Sequence, residues 1–117
     1  MPRKRIDEVV VLVTSGSRKE ARRIARTLVG EKLAACANIV GAPVESIYRW
    51  KGRIETAREI LLLVKTSRRH FRALERRIRE LHSYDVPEII ALPIAAGSAG
   101  YLRWIEDSFQ DCCNRAE

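Results

Sequence analysis

Ser46-Ile47-Tyr48-Arg49-Trp50-Lys51-Gly52-Arg53-Ile54 reads as the end of one strand, a two-residue turn and the start of the next. From Val44 to Trp50 the side chains alternate, with Ser46, Tyr48 and Trp50 on one face and Ile47 and Arg49 on the other. Lys51-Gly52 is a hairpin turn signal. The returning strand runs from Ile54 to Thr66 around an apolar centre, Ile60-Leu61-Leu62-Leu63-Val64. A hairpin in mid-chain divides the sequence into two units, and each unit repeats the same order of elements.

Upstream, Val9-Val10-Val11-Leu12-Val13 is a short continuous apolar run, the signature of a strand buried on both faces. Ser17 with Glu20 three residues on forms a capping box, so a helix starts there. Its apolar stripe is Ala21, Ile24, Ala25, Leu28 and Val29, and it is expected to end near Lys32. The segment from Cys36 to the hairpin is extended and bent at Gly41-Ala42-Pro43. Downstream, Thr66 or Ser67 can cap a second helix with the stripe Phe71, Leu74, Ile78 and Leu81. Pro87 forbids its continuation. Glu88 to Ile94 reads as the last strand, with Pro93 marking an edge position. Tyr101 to Phe109 reads as a short terminal helix, with Leu102, Ile105 and Phe109 on one side. The expected fold is α+β: a ferredoxin-like βαββαβ sandwich with a short C-terminal helix and both long helices on one sheet face. One domain spans 1–117, with its core at about 8–109 and a polar tail at 110–117.

Composition narrows the function classes. Hydrophobic residues make up 46% of the 117, enough to build a core. No apolar run approaches the ~20 residues of a membrane helix. The Val9–Val13 run is too short for a signal peptide and follows Asp7 and Glu8, so a cytoplasmic protein without membrane association is expected. Three cysteines, Cys36, Cys112 and Cys113, argue against a disulfide framework. Cys36 is expected in the core. The net charge of +7 invites a nucleic-acid reading, but the arginines fall on the outer faces of the two helices, where solvation accounts for them. Single-strand RNA readers place stacking aromatics on the central strands. Here those strands carry Val, Ile and Leu, so a nucleic-acid partner is not expected. Helices cover only one face of the expected sheet, yet its strands are apolar on both. An open face lined that way requires an oligomer.

The sequence resembles the CutA family, the divalent-cation tolerance proteins. The matching stretches are Glu31 to Asn38, Tyr48-Arg49-Trp50-Lys51-Gly52, the Glu59 to Thr66 strand, Tyr84-Asp85-Val86-Pro87-Glu88 through Pro93, and Gly97 to Ile105. The resemblance implies a homotrimer of ferredoxin-like subunits, similar in architecture to PII-type signalling trimers. It also implies a link to divalent metals, copper especially, and no enzymatic reaction. This chain has Ser83 where the family commonly has proline after the histidine. Val13 and Leu81 stand where some members carry a cysteine and a second histidine, so a metal site built from those extra ligands is not carried over.

Candidate site residues follow from side-chain chemistry. His82 and Glu88 are a plausible Cu(II) pair, less so Zn(II), that needs a third ligand from another subunit, a backbone atom or water. The bland alternative makes His82 a helix cap and pairs Glu88 with Lys65 or an arginine. His70 is expected to be solvent-exposed. Tyr48, Trp50, Tyr84 and Trp104 belong either to a subunit interface or to a ligand cleft. Glu59 and Lys65 share a strand face, as a buried ion pair or as part of a polar cleft cluster. No nucleophile elbow or phosphate loop is present, and no enzyme activity is expected. The alternative function is a PII-like small-ligand sensor or scaffold trimer without a metal site, stabilised by a small organic anion.

Overall fold

The computed structural model describes residues 5–110, so Cys112, Cys113 and most of the expected polar tail lie outside the described residues. The elements are β1 (Glu8–Ser15), α1 (Arg18–Gly30), β2 (Cys36–Ile39), β3 (Val44–Trp50), β4 (Arg53–Ser67), a 3-10 turn (Arg68–His70), α2 (Phe71–Leu81), β5 (Ile89–Pro93) and α3 (Ala99–Asp107). This is a mixed α+β fold with an antiparallel sheet in the order β2-β4-β1-β5. β4 is the spine. Its C-terminal half pairs with β1 and β2, and its N-terminal half carries on beyond them to pair with β3. The hairpin tip is tight because Lys51 (φ 51°) and Gly52 (φ 79°) both take the left-handed conformation, as a two-residue turn between twisted strands requires.

The core lies between the sheet and the α1/α2 layer. Val9, Val11 and Val13 alternate inward from β1, and Ile60, Leu62 and Val64 do so from β4. They meet Ala21, Ile24 and Leu28 of α1 and Leu74 and Ile78 of α2. Ser17 caps α1 by accepting the Glu20 amide at 3.1 Å. Val29 is 40% exposed and leaves the expected stripe. The helix stops at Gly30, two residues early, because Lys32 turns to φ 61° and the Leu33 and Ala34 amides fold back onto the Leu28 carbonyl. The arginines expected in solvent include Arg22, Arg26, Arg72 and Arg76, all exposed. Arg77 is tied down, bridging Glu31 and Glu80 at 3.0 Å each.

The opposite sheet face is only partly covered. α3 lies over one end: Ile105 is fully buried, the Tyr101 hydroxyl meets Cys36 Sγ at 3.6 Å, and Arg69 joins Glu106 to Asp7. Cys36 is therefore half-buried under α3 rather than in the core. Burial pushes the Glu8 carboxyl up, and a hydrogen bond shared with Glu106 adds to this. Arg69 in turn holds Glu106 down. His70 is not fully in solvent, since its ring stacks on Phe109 at 4.0 Å and bonds the Ser67 hydroxyl. Beyond α3 the face stays apolar and open, with Leu12, Leu61 and Leu63 half-buried and Ile90 and Leu92 exposed by 48% and 46%.

Candidate functional site

The β3–β4 hairpin and the 82–88 loop that follows α2 form the two walls of a cleft of about 590 Å³. Strand alternation sets the hairpin wall. Ser46, Tyr48 and Trp50 face the same side, and pairing of Val44 with Glu59 puts that carboxylate on it too. The loop contributes Tyr84, Asp85 and Glu88. Three aromatic rings and three carboxylates thus line the cleft, and no lysine, arginine or histidine is among its described lining residues.

Polar contacts fix the loop wall. The Tyr84 hydroxyl donates to Glu59 Oε2 at 2.9 Å. Glu59 is 7% exposed. Burial and the bond to Glu59 push the Tyr84 phenol up to about 12. Gly16 makes room for the ring, because a Cβ there would stand 3.2 Å from the Tyr84 hydroxyl. Glu20 holds the start of the loop. Its carboxylate accepts the Ser83 amide at 2.6 Å, the Ser83 hydroxyl at 3.2 Å and the Ser15 hydroxyl at 2.7 Å. Burial pushes the Glu20 carboxyl up, but the Ser15 hydroxyl and the Ser83 amide and hydroxyl outweigh it and hold the group below the usual carboxylate value.

His82 is buried at the end of α2. Its Nδ1 accepts the Tyr84 amide at 3.1 Å, so the proton sits on Nε2, which donates to the Thr14 carbonyl at 2.7 Å. Both ring nitrogens are thus engaged by backbone, and a metal ion could reach either one only by displacing such a bond. Glu88 and Asp85 are exposed and make no side-chain hydrogen bond or ion pair among the described residues. No group of three or more His, Cys, Asp or Glu side chains able to hold a metal occurs among the described residues.

Of the residues singled out in the sequence, the cleft brings together Tyr48, Trp50, Glu59, Tyr84 and Glu88. His82 stands behind the loop wall. Lys65 lies elsewhere: its ammonium bonds the Asn38 side chain, about 20 Å along β4 from Glu59 at strand spacing. Neither a Glu59–Lys65 ion pair nor a shared polar cluster forms. Trp104 is on α3, stacked on Tyr101 at 5.6 Å, also outside the cleft. Sequence reasoning missed the clamp formed by Glu20 with Ser15 and Ser83. The capping box drew attention to Glu20, but its carboxylate turns toward the loop and leaves the cap to Ser17 alone. Asp85 lies in the Tyr84–Glu88 stretch, and nothing in its spacing marks it.

Comparison with known proteins agrees with this architecture. The family profile described as CutA1 divalent ion tolerance protein matches residues 9–108. The divalent-cation tolerance protein CutA of Thermus thermophilus is 52% identical over 101 residues, covering 86% of this chain and 97% of that one. The chloroplastic CutA 1 of Oryza sativa is 42% identical over 91% of this chain; the match spans 59% of that longer relative. The solved Thermus thermophilus structure superposes with a TM-score of 0.82 at 53% identity, covering 84% of this chain and 94% of that one.

Proposed function

The chain belongs to the CutA1 divalent ion tolerance family, and on that premise we propose that it is a homotrimeric CutA-type protein of the response to metal ions. The cleft between the hairpin and the 82–88 loop is its cation-receptive site. One observation carries this reading: in a protein of net charge +7, the cleft is lined by Glu59, Asp85 and Glu88 with no basic side chain among its described lining residues. Such a local field concentrates cations against the global charge. The trimer and its ferredoxin-like subunit are supported by the sheet order and by the half-covered apolar face. Burying the exposed halves of Ile90 and Leu92 would contribute roughly 1 kcal/mol each. The described residues of one chain do not form a complete metal site, since His82 is engaged by backbone and no three-ligand group occurs among them. A copper or zinc ion held by Glu88 would need ligands from a neighbouring subunit. Carboxylate oxygens alone suit harder ions such as Mn(II) better than Cu(II).

No catalysed reaction belongs to this proposal. A cytoplasmic location does, supported by the odd cysteine count and by a described chain in which no helix is long and apolar enough to cross a membrane. The rice relative is named chloroplastic. A second reading, the small-ligand sensor, is favoured by the aromatic wall of Tyr48, Trp50 and Tyr84. An organic anion is disfavoured as its ligand, because Lys65, expected in a polar cleft cluster, is not among the described lining residues.

Calorimetric titration with Mn(II), Cu(II) and Zn(II) tests the main reading. Glu88→Gln is expected to weaken saturable binding several-fold, while His82→Ala, if folded, leaves it within about twofold. Binding lost in folded His82→Ala and unchanged in Glu88→Gln would reverse the assignment.

A further inference from the structure

We propose that the cleft accepts an organic cation, specifically a diamine or polyamine, in which ammonium groups are separated by methylene chain. The inference rests on the cleft being the cation-receptive site and names the ligand class that its walls fit.

The first argument is size. About 590 Å³ lies in the range of small-molecule pockets and far exceeds what a single metal ion fills. The second is the wall chemistry. Tyr48, Trp50 and Tyr84 are 44%, 49% and 37% exposed where they line the cleft. Aromatic faces attract ammonium groups through the ring quadrupole and shed water from methylene chain. The third is the state of the carboxylates. Glu59 is already bonded to Tyr84, whereas Asp85 and Glu88 have no side-chain partner among the described residues. Two unpartnered carboxylates on one wall and aromatic rings on both walls match two ammonium groups joined by an apolar spacer. The same features fit a compact metal ion poorly, because the carboxylates do not group into a coordination set. They fit an organic anion worse still, since nothing basic is among the cleft's described lining residues.

The test is calorimetric titration of the full chain with spermidine at low ionic strength, with Mn(II) titrated in parallel. Spermidine is expected to bind saturably at one per subunit. Trp50→Leu, which keeps an apolar side chain but removes the π-face, should weaken spermidine about tenfold and leave Mn(II) within about twofold. Tyr48→Leu provides a second aromatic variant on the same strand face, and the circular dichroism spectrum confirms that both fold. Glu88→Gln should weaken both ligands. Mn(II) binding without spermidine binding would overturn the polyamine inference and leave the acidic cleft standing. Spermidine binding indifferent to Trp50→Leu and Tyr48→Leu would overturn it as mere charge attraction. Failure of both ligands to bind would remove this inference and the cation-receptive reading together.

Discussion

Tyr84→Phe deletes one oxygen and tests how the cleft wall is held. The Tyr84 hydroxyl is the only hydrogen-bond donor to the Glu59 side chain among the described residues, and Glu59 is 7% exposed. A hydrogen bond to a charged group contributes about 1.5–3 kcal/mol, and a buried acceptor left alone costs a similar amount. The cleft is open enough for water to reach part of Glu59, which places the loss near the lower end, about 2 kcal/mol. For a chain of this length that corresponds to a fall in Tm of roughly 6–12 °C at fixed protein concentration. The assay is denaturant and thermal unfolding of the wild type, Tyr84→Phe, Glu59→Gln and the double variant. The cycle should return a coupling of at least about 1 kcal/mol. An alkaline titration gives a second readout. The folded phenol keeps its proton up to about 12, while the unfolded one loses it near 10.0. The unfolded state therefore binds fewer protons in that window, so this group's contribution is complete below pH 10 and is lost as pH rises toward 12. Tyr84→Phe removes that component of the fall. A loss below about 0.5 kcal/mol with additive single variants would refute the reasoning, because Glu59 would then have no stake in the Tyr84 hydroxyl.

Ser17→Ala should cost about 1 kcal/mol in unfolding experiments, since Ser17 is the side-chain cap of α1 and Glu20 does not share that role. Stability should fall on acidification as pH drops below the ordinary carboxylate value of 4.5, because Glu20 is held below it in the folded state; Glu20→Gln should flatten that component of the acid limb. The double variant Ile90→Lys/Leu92→Lys places charge on the open sheet face and should convert the proposed trimer to monomer in light scattering. An unchanged mass would show that this face is not the subunit contact.

The fold was largely legible because periodicity and turn chemistry are local. Val9–Val13, the Ser17 cap, Lys51-Gly52 and Pro87 each act through neighbours in sequence, and each lies where its physics put it. The end of α1 was misplaced by two residues because a positive φ at Lys32, rather than a glycine, turns the chain. The covering of the second sheet face was harder to read. α3 docks there through Arg69, Glu106 and Asp7, residues 37 to 62 positions apart, and no local pattern announces such a contact. The site was legible by half. Tyr48 and Trp50 share a face by strand parity, which sequence shows directly, and the hairpin register adds Glu59. Tyr84 and Glu88 join them because the loop folds back onto the hairpin, and that depends on Glu20, Gly16 and Thr14 at distant positions. Strand parity also grouped Lys65 with Glu59, since it reports which face a side chain takes and ignores how far along the strand it stands.

The most direct test of the cation-receptive cleft is paramagnetic broadening of the amide spectrum by substoichiometric Mn(II). The account predicts that signals of residues 46–50 and 84–88, with Glu59, broaden first, while α1 and α2 stay sharp. Broadening centred on Glu75 and Glu80 of α2, or spread evenly over the surface, would contradict it.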